Sequence, residues 1–283
     1  MTASTLHFVH VSDSHVSAAR ERRARDLARL EQLVARLTAL HASGVPIDFV
    51  VHTGDLVDDA DHPDTTPETT RAALDVLDAL PVRWFLLNGN HDRRAFLTVG
   101  ARDATGVRAN GRGEVPVTDA AGVAVRRVGD AQLVFVDANP ERGGQADLDG
   151  IVGDAAIETL GRRIDEHPGR SALFLHYPPL PQEATWPGAC VGGEALHAAL
   201  AARADRVHGV FVGHNHRALH HQRDGVLYVT APALTRQFLL WPGQATMAPD
   251  DEAVSGLHYV TFGADGSTRV QHHAFVVAPG GAP

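Results

Sequence analysis

A layered α/β/β/α sandwich, two mixed sheets flanked by helices, is the fold class this sequence predicts. Short apolar, β-branched runs of strand length recur at 6–11, 48–51, 84–87, 132–136, 172–175, 207–212 and 226–230. The early runs alternate with segments of helical period, which implies parallel pairing. From about residue 115 the runs lie closer together, separated by Asp-Ala-Ala-Gly and Asp-Gly turns and by helices at about 154–166 and 193–203.

Leu6–Val11 (LHFVHV), the first element, is apolar on both sides of its alternation, as a strand covered on both faces must be. Leu27, Leu30, Val34, Leu37 and Leu40 recur at three- and four-residue steps and predict the first helix. Thr66-Pro67-Glu68 places an N-cap residue and then proline at the first helical position, so a second helix runs over 67–80. No internal repeat and no linker divides the chain, and one domain over 1–283 is expected. Two long loops rich in Pro and Gly, 177–192 with Trp186 and 236–255 with Phe238 and Trp241, are expected to border a cleft.

Composition narrows the function. With 283 residues and 44% hydrophobic content the chain can bury a large core. All 25 basic residues are arginine, set against 34 acidic ones for a formal charge of −9, so phosphate neutralisation along a long nucleic acid is not expected. No apolar run approaches the ~20 residues needed to span a bilayer, and the first residues lack the pattern of a secretory signal. The expected location is cytoplasmic. The single Cys190 excludes an internal disulfide and reads as a small buried thiol. Histidine is abundant, 18 residues, and histidine is the commonest metal ligand.

Five of the apolar strands run straight into polar segments of similar chemistry. LHFVHV leads to Asp13 and His15; DFVV to Asp55 and Asp58; WFLL to Asn90, His91 and Asp92; ALFL to His176; VHGVFV to His214 and His216. In parallel α/β sheets the carboxyl ends of strands are where loops converge on a ligand. The set mixes oxygen and nitrogen donors with no thiolate, which suits hard or borderline divalent ions. If the backbone of Asp13-x-His15 and His214-x-His216 is extended, both side chains of each pair point the same way and reach one cluster.

The series DxH, GDxxD, GNHD, a lone His and GHxH, spread over residues 13–216, resembles the calcineurin-like metallophosphoesterase superfamily. The forms "GNHDRRAF" and "HYPP" are similar to its bacterial branch of class III cyclic-nucleotide and glycerophosphodiester phosphodiesterases. The resemblance implies two divalent ions, manganese or iron before zinc or cobalt. One would be held by Asp13, His15, Asp55 and His216, the other by Asp55, Asn90, His176 and His214, with Asp55 shared. It implies that Asp58 orients His91 and favours its protonated form, and that His91 stabilises developing charge or protonates the leaving group. Asn90, His91 and Arg94 are the expected substrate contacts; Arg93 could equally be a solvated neighbour. Asp59 and Asp61 read as solvated turn residues.

Two ions ~3.5–4 Å apart would lower the pKa of a shared water toward ~7. The implied substrates are small phosphodiesters, cyclic nucleotides or glycerophosphodiesters. A phosphomonoesterase or nucleotide phosphatase is the alternative, and a non-catalytic metal-binding scaffold a remote one; a homodimer is compatible with the sequence. Asp59 stands where the protein phosphatases of the superfamily carry an arginine, and Asp58 where its purple acid phosphatases carry a tyrosine ligand.

Overall fold

The computed structural model describes residues 4–58, 67–92, 107–109, 119–138, 150–182, 189–246 and 248–276. Asp59, Asp61, Arg93, Arg94, Phe96 and Trp186 lie outside the described residues.

β1 (Leu6–Val11), β2 (Phe49–His52) and β3 (Arg83–Leu87) pair in parallel, with Phe8 opposite Phe49 and Val50 opposite Trp84. The crossovers are α1 (Arg20–Ala42) and α2 (Pro67–Asp78), whose Leu30, Leu33, Leu37, Leu74 and Leu77 pack on Val9, Val11 and Val50. β4 (Val107–Ala109) joins β3 antiparallel. The second sheet begins with the hairpin of β5 (Val123–Val128) and β6 (Ala131–Val136). α3 (Asp154–Glu166), β7 (Ser171–Phe174), α4 (Gly193–Ala201), β8 (Val207–Val212), β9 (Leu219–Arg223) and β10 (Val226–Thr230) complete it.

β11 (Gln237–Leu239) and β12 (Ala248–Asp250) form a two-stranded ribbon inside the segment expected to be a long loop. β13 (Ser255–Phe262) and β14 (Thr268–Phe275) then return to the first sheet. Its order is β14-β13-β1-β2-β3-β4, and that of the second sheet is β5-β6-β7-β8-β10-β9. Both are mixed, as predicted.

The two sheets meet face to face over an aromatic layer. Phe8, Phe49, Phe85, Phe135, Phe174, Phe211 and Phe262, seven of the chain's ten phenylalanines, lie in it, so large flat side chains fill the gap between sheets. α3 and α4 cover the outer face of the second sheet through Leu160, Ile164, Leu196 and Leu200. Because β1, β2, β3, β7 and β8 run in one sense within their sheets, their carboxyl ends bring the polar segments together along one edge of the sandwich. Cys190 is buried and free.

Candidate metal centre

Two groups of donor atoms converge there, Asp13, His15, Asp55 and His216 in one, Asp55, His176 and His214 in the other. All six residues are buried. Asp55 belongs to both, its Oδ2 3.3 Å from His176 Nε2 and 3.6 Å from His15 Nε2. Asn90 joins the second group, with its Oδ1 3.0 Å from His176 Nε2 and 3.0 Å from His214 Nδ1. In the first, His15 Nε2 and His216 Nε2 face each other at 2.9 Å, and Asp13 Oδ1 lies 3.4 Å from His216 Nε2. The seven residues singled out as metal donors in the sequence therefore meet.

The backbone does not adopt the extended form expected at the paired motifs. Asp13, His15, Asp55, His214 and His216 have φ of 54°, 43°, 55°, 72° and 52°. Left-handed backbone is costly outside glycine and collects where a site is over-determined by its surroundings. At Gly-His-x-His the two side chains part, His214 to one cluster and His216 to the other, while Asp13 and His15 stay together. The motif glycines answer to close approach: a Cβ on Gly89 would collide with the Asp55 carboxylate, and one on Gly54 would stand 2.6 Å from His176 Nδ1.

Neighbours fix the orientation of the rings. His176 Nδ1 donates to the Thr53 carbonyl at 2.7 Å and His216 Nδ1 to the Arg236 carbonyl at 2.8 Å, so each turns Nε2 inward. The His214 N–H donates to both oxygens of Asp13, at 3.2 and 3.1 Å, and the His91 N–H donates to Asp55 Oδ1 at 2.8 Å. Asp92 accepts from the Leu56, Val57 and Gly89 N–H groups, tying the Gly-Asp loop to the Gly-Asn-His-Asp loop. Burial and the charge of Asp55 push the Asp92 carboxyl up to about 7.

Asp58 departs from the role expected of it. Its Oδ1 lies 3.4 Å from His15 Nδ1 and accepts from Arg236 Nη2 at 2.6 Å, while Oδ2 is 3.4 Å from Arg22 Nη2. It stands in ion-pair range of a cluster histidine, His15, and no hydrogen bond joins it to His91; the buried Nδ1 atoms of both rings lack a hydrogen-bond partner among the described residues. Burial lowers the pKa of His91, against the pull of Asp55 and Asp58, so its neutral form is favoured, not the protonated one.

Arg236 and Arg22 carry no motif signal, since nothing in TRQF or RERR marks them; only the packing of distant segments brings both to Asp58. Phe238 stacks on His216 with ring centroids 4.7 Å apart, and Gln182 bonds the Asn215 amide, so described parts of both long segments reach the site.

The electrostatics fit a pair of cations. Asp13 and Asp55 are buried, yet neighbouring imidazoles hold both carboxyls well below the usual range against the opposing effect of burial. Burial would likewise lower His15 and His176, but hydrogen bonds and the charges of Asp13, Asp55 and Asp58 raise His15 to about 10, and chiefly Asp55 raises His176 to about 9. Buried carboxylates draw protons onto these rings where no cation compensates them, and His214 Nε2 is buried without a partner. Hard and borderline donors without thiolate suit divalent ions.

These shifts make the ion-free protein sensitive to pH. An imidazole whose folded pKa exceeds its free value of ~6.5 favours the fold while protonated, a contribution fully present below that value. For His176 and His15 it is lost as pH rises through about 9 and about 10. Melting of chelator-treated protein is therefore expected at lower temperature at pH 10.5 than at pH 7; the reverse order would refute this charge balance.

Comparison with known proteins agrees. Over 274 residues the chain is 22% identical to a 3′,5′-cyclic-nucleotide phosphodiesterase of Nostoc sp., covering 93% of this chain and 90% of that protein. Its fold is similar to a dimetal phosphatase from Danio rerio, TM-score 0.66 at 14% identity, covering 94% of this chain and 98% of that one. GAP50 of Plasmodium, described as the anchor in the inner membrane complex, is similar with TM-score 0.58 at 11% identity, covering 95% and 84%. Among the described residues no helix is long and apolar enough to cross a membrane. Residues 6–218 match the family model of the calcineurin-like phosphoesterases, and with the buried shared-aspartate centre in place the chain belongs to that family.

Proposed function

We propose that this phosphoesterase hydrolyses small phosphodiesters, cyclic nucleotides or glycerophosphodiesters, with two divalent ions. The observation that carries the metal dependence is the sharing of buried Asp55 between two donor clusters. Ions held by Asp13, His15, Asp55 and His216 and by Asp55, Asn90, His176 and His214 would polarise phosphoryl oxygens and acidify water. Asn90 presents its amide beside the second cluster, and partly buried His91 stands with its ring 4.8 Å from that of His15, in reach of charge growing on the phosphoryl group.

The diester preference is supported by the Nostoc relative, itself a cyclic-nucleotide phosphodiesterase, and by charge. A monoester brings nearly two negative charges and gains from an added cationic clamp. Arg22 and Arg236 flank the centre, but Asp58 engages both, leaving them partly neutralised. Apolar surface at Phe238, stacked on His216, suits a second ester substituent.

With Mn²⁺ at neutral pH, kcat/KM for bis(p-nitrophenyl) phosphate is expected to exceed that for p-nitrophenyl phosphate at least tenfold. A tenfold preference for the monoester would instead support a phosphomonoesterase on the same centre. Absence of metal-dependent turnover across diesters, monoesters and cyclic nucleotides would favour the scaffold reading.

A further inference from the structure

Outside the two donor clusters, four histidines meet at the rim of the aromatic layer. His10 on β1 stands directly opposite His258 on β13, and His258 directly opposite His272 on β14. Directly opposed residues of antiparallel strands share a face. That face also carries Phe8, Val260 and Phe262, so the imidazole ladder looks toward the second sheet. The edge strand β9 answers it with His220. Ring centroids are 5.9 Å apart for His10 and His258, 5.5 Å for His258 and His272, and 4.8 Å for His220 and His258.

The anomaly is His258. It is 0% exposed, yet neither ring nitrogen has a hydrogen-bond partner, and Nδ1 of equally buried His10 also has none. Native interiors leave few polar atoms unpaired, and a place for an ion is one of the standard reasons when they do. We infer that His220, His258 and His272, with His10 behind them, form a third cation site that takes one borderline divalent transition ion, of which Zn²⁺ is the example.

The spacing is right for it. At Zn–N bonds of ~2.0–2.1 Å, imidazoles sharing a tetrahedral ion stand roughly 5 Å apart by ring centroid. Pairs within the two clusters already described stand at 4.6 Å (His15 and His216) and 5.1 Å (His176 and His214). The new set does not yet bring three nitrogens together as those clusters do. His220 and His272 are exposed, so rotation about their side-chain bonds completes the site at a cost in side-chain entropy. Burial keeps His258 and His10 neutral, with His10 lowered to about 3, which leaves their lone pairs for a cation. A donor set of imidazoles selects zinc, nickel or copper over magnesium or calcium.

The test is the ion count after Zn²⁺ saturation and removal of excess by gel filtration. Wild-type protein is expected to hold one ion per chain more than the double variant His220→Ala/His272→Ala, which changes two exposed positions. With Co²⁺ the same difference should appear as an increment of visible absorption from a tetrahedral site, seen in wild type over both the double variant and His258→Leu, beyond what cobalt at the phosphoesterase centre contributes to all three. Equal ion counts in wild type and double variant, or a cobalt spectrum of the same intensity in wild type and both variants, would overturn the site. The readout is the difference between proteins, so it holds whatever the loading of the phosphoesterase centre.

Discussion

Asp55→Ala protein is expected to emerge from reconstitution and gel filtration with less than about one metal ion per chain, against two in the wild type at the phosphoesterase centre. Asp55 is the carboxylate common to both clusters. Without it the first cluster keeps one carboxylate, Asp13, and the second keeps Asn90, His176 and His214, which are all neutral as donors. A divalent ion stripped of water needs compensating negative charge, so the second cluster fails first and the first weakens with it. The structural cost is local: the His91 N–H loses its acceptor, His176 loses the chief neighbour that draws a proton onto it, and His15 loses one of three. Asp59→Ala, a change in the same aspartate-rich stretch, is expected to keep both ions. Elemental analysis decides, and two ions retained by the Asp55 variant would refute the shared-ligand assignment.

The second large effect is at His91. His91→Ala is expected to keep both ions and the fold yet lower kcat by ~10²–10⁴, the range of a lost group acting on the transition state. Its ring touches the first cluster's edge without belonging to it, and its Nδ1 is buried without a partner, poised for an oxygen of the substrate. Two roles are open to it on the sequence alone, leaving-group acid and charge stabiliser. Burial favours the neutral ring, and cations bound beside it push its pKa further in the same direction. A neutral imidazole donates a hydrogen bond to developing charge but has no spare proton for an alkoxide. The deficit should therefore be similar for diesters with nitrophenol and with alkyl leaving groups. A deficit confined to poor leaving groups would make His91 the acid instead.

Much of this is written locally in the chain. Strand runs such as LHFVHV and VHGVFV reappear as β1 and β8 with the predicted bounds, and Pro67 opens α2, because burial on both faces and a fixed φ act within a few residues. The metal donors are legible for the same reason: each comes directly after a strand, and parallel strands deliver their ends to one edge.

Contacts between segments far apart in sequence are not legible in this way. β13 and β14 lie outside the predicted runs, although LHYVTF in β13 is as apolar and β-branched as those runs; β14 is mostly exposed and polar, and only its pairing with β13, itself laid antiparallel along β1, makes it a strand. The left-handed backbone at Asp13, His15, Asp55, His214 and His216 is costly for each residue alone and persists because hydrogen bonds such as His214 N–H to Asp13 span about two hundred positions. Asp58 turns to His15 and not to His91 because Arg236, delivered from the far end of the chain, holds its carboxylate there. Residue types and their order set the chemistry available, while charge pairing and packing across distant segments set which groups act on one another.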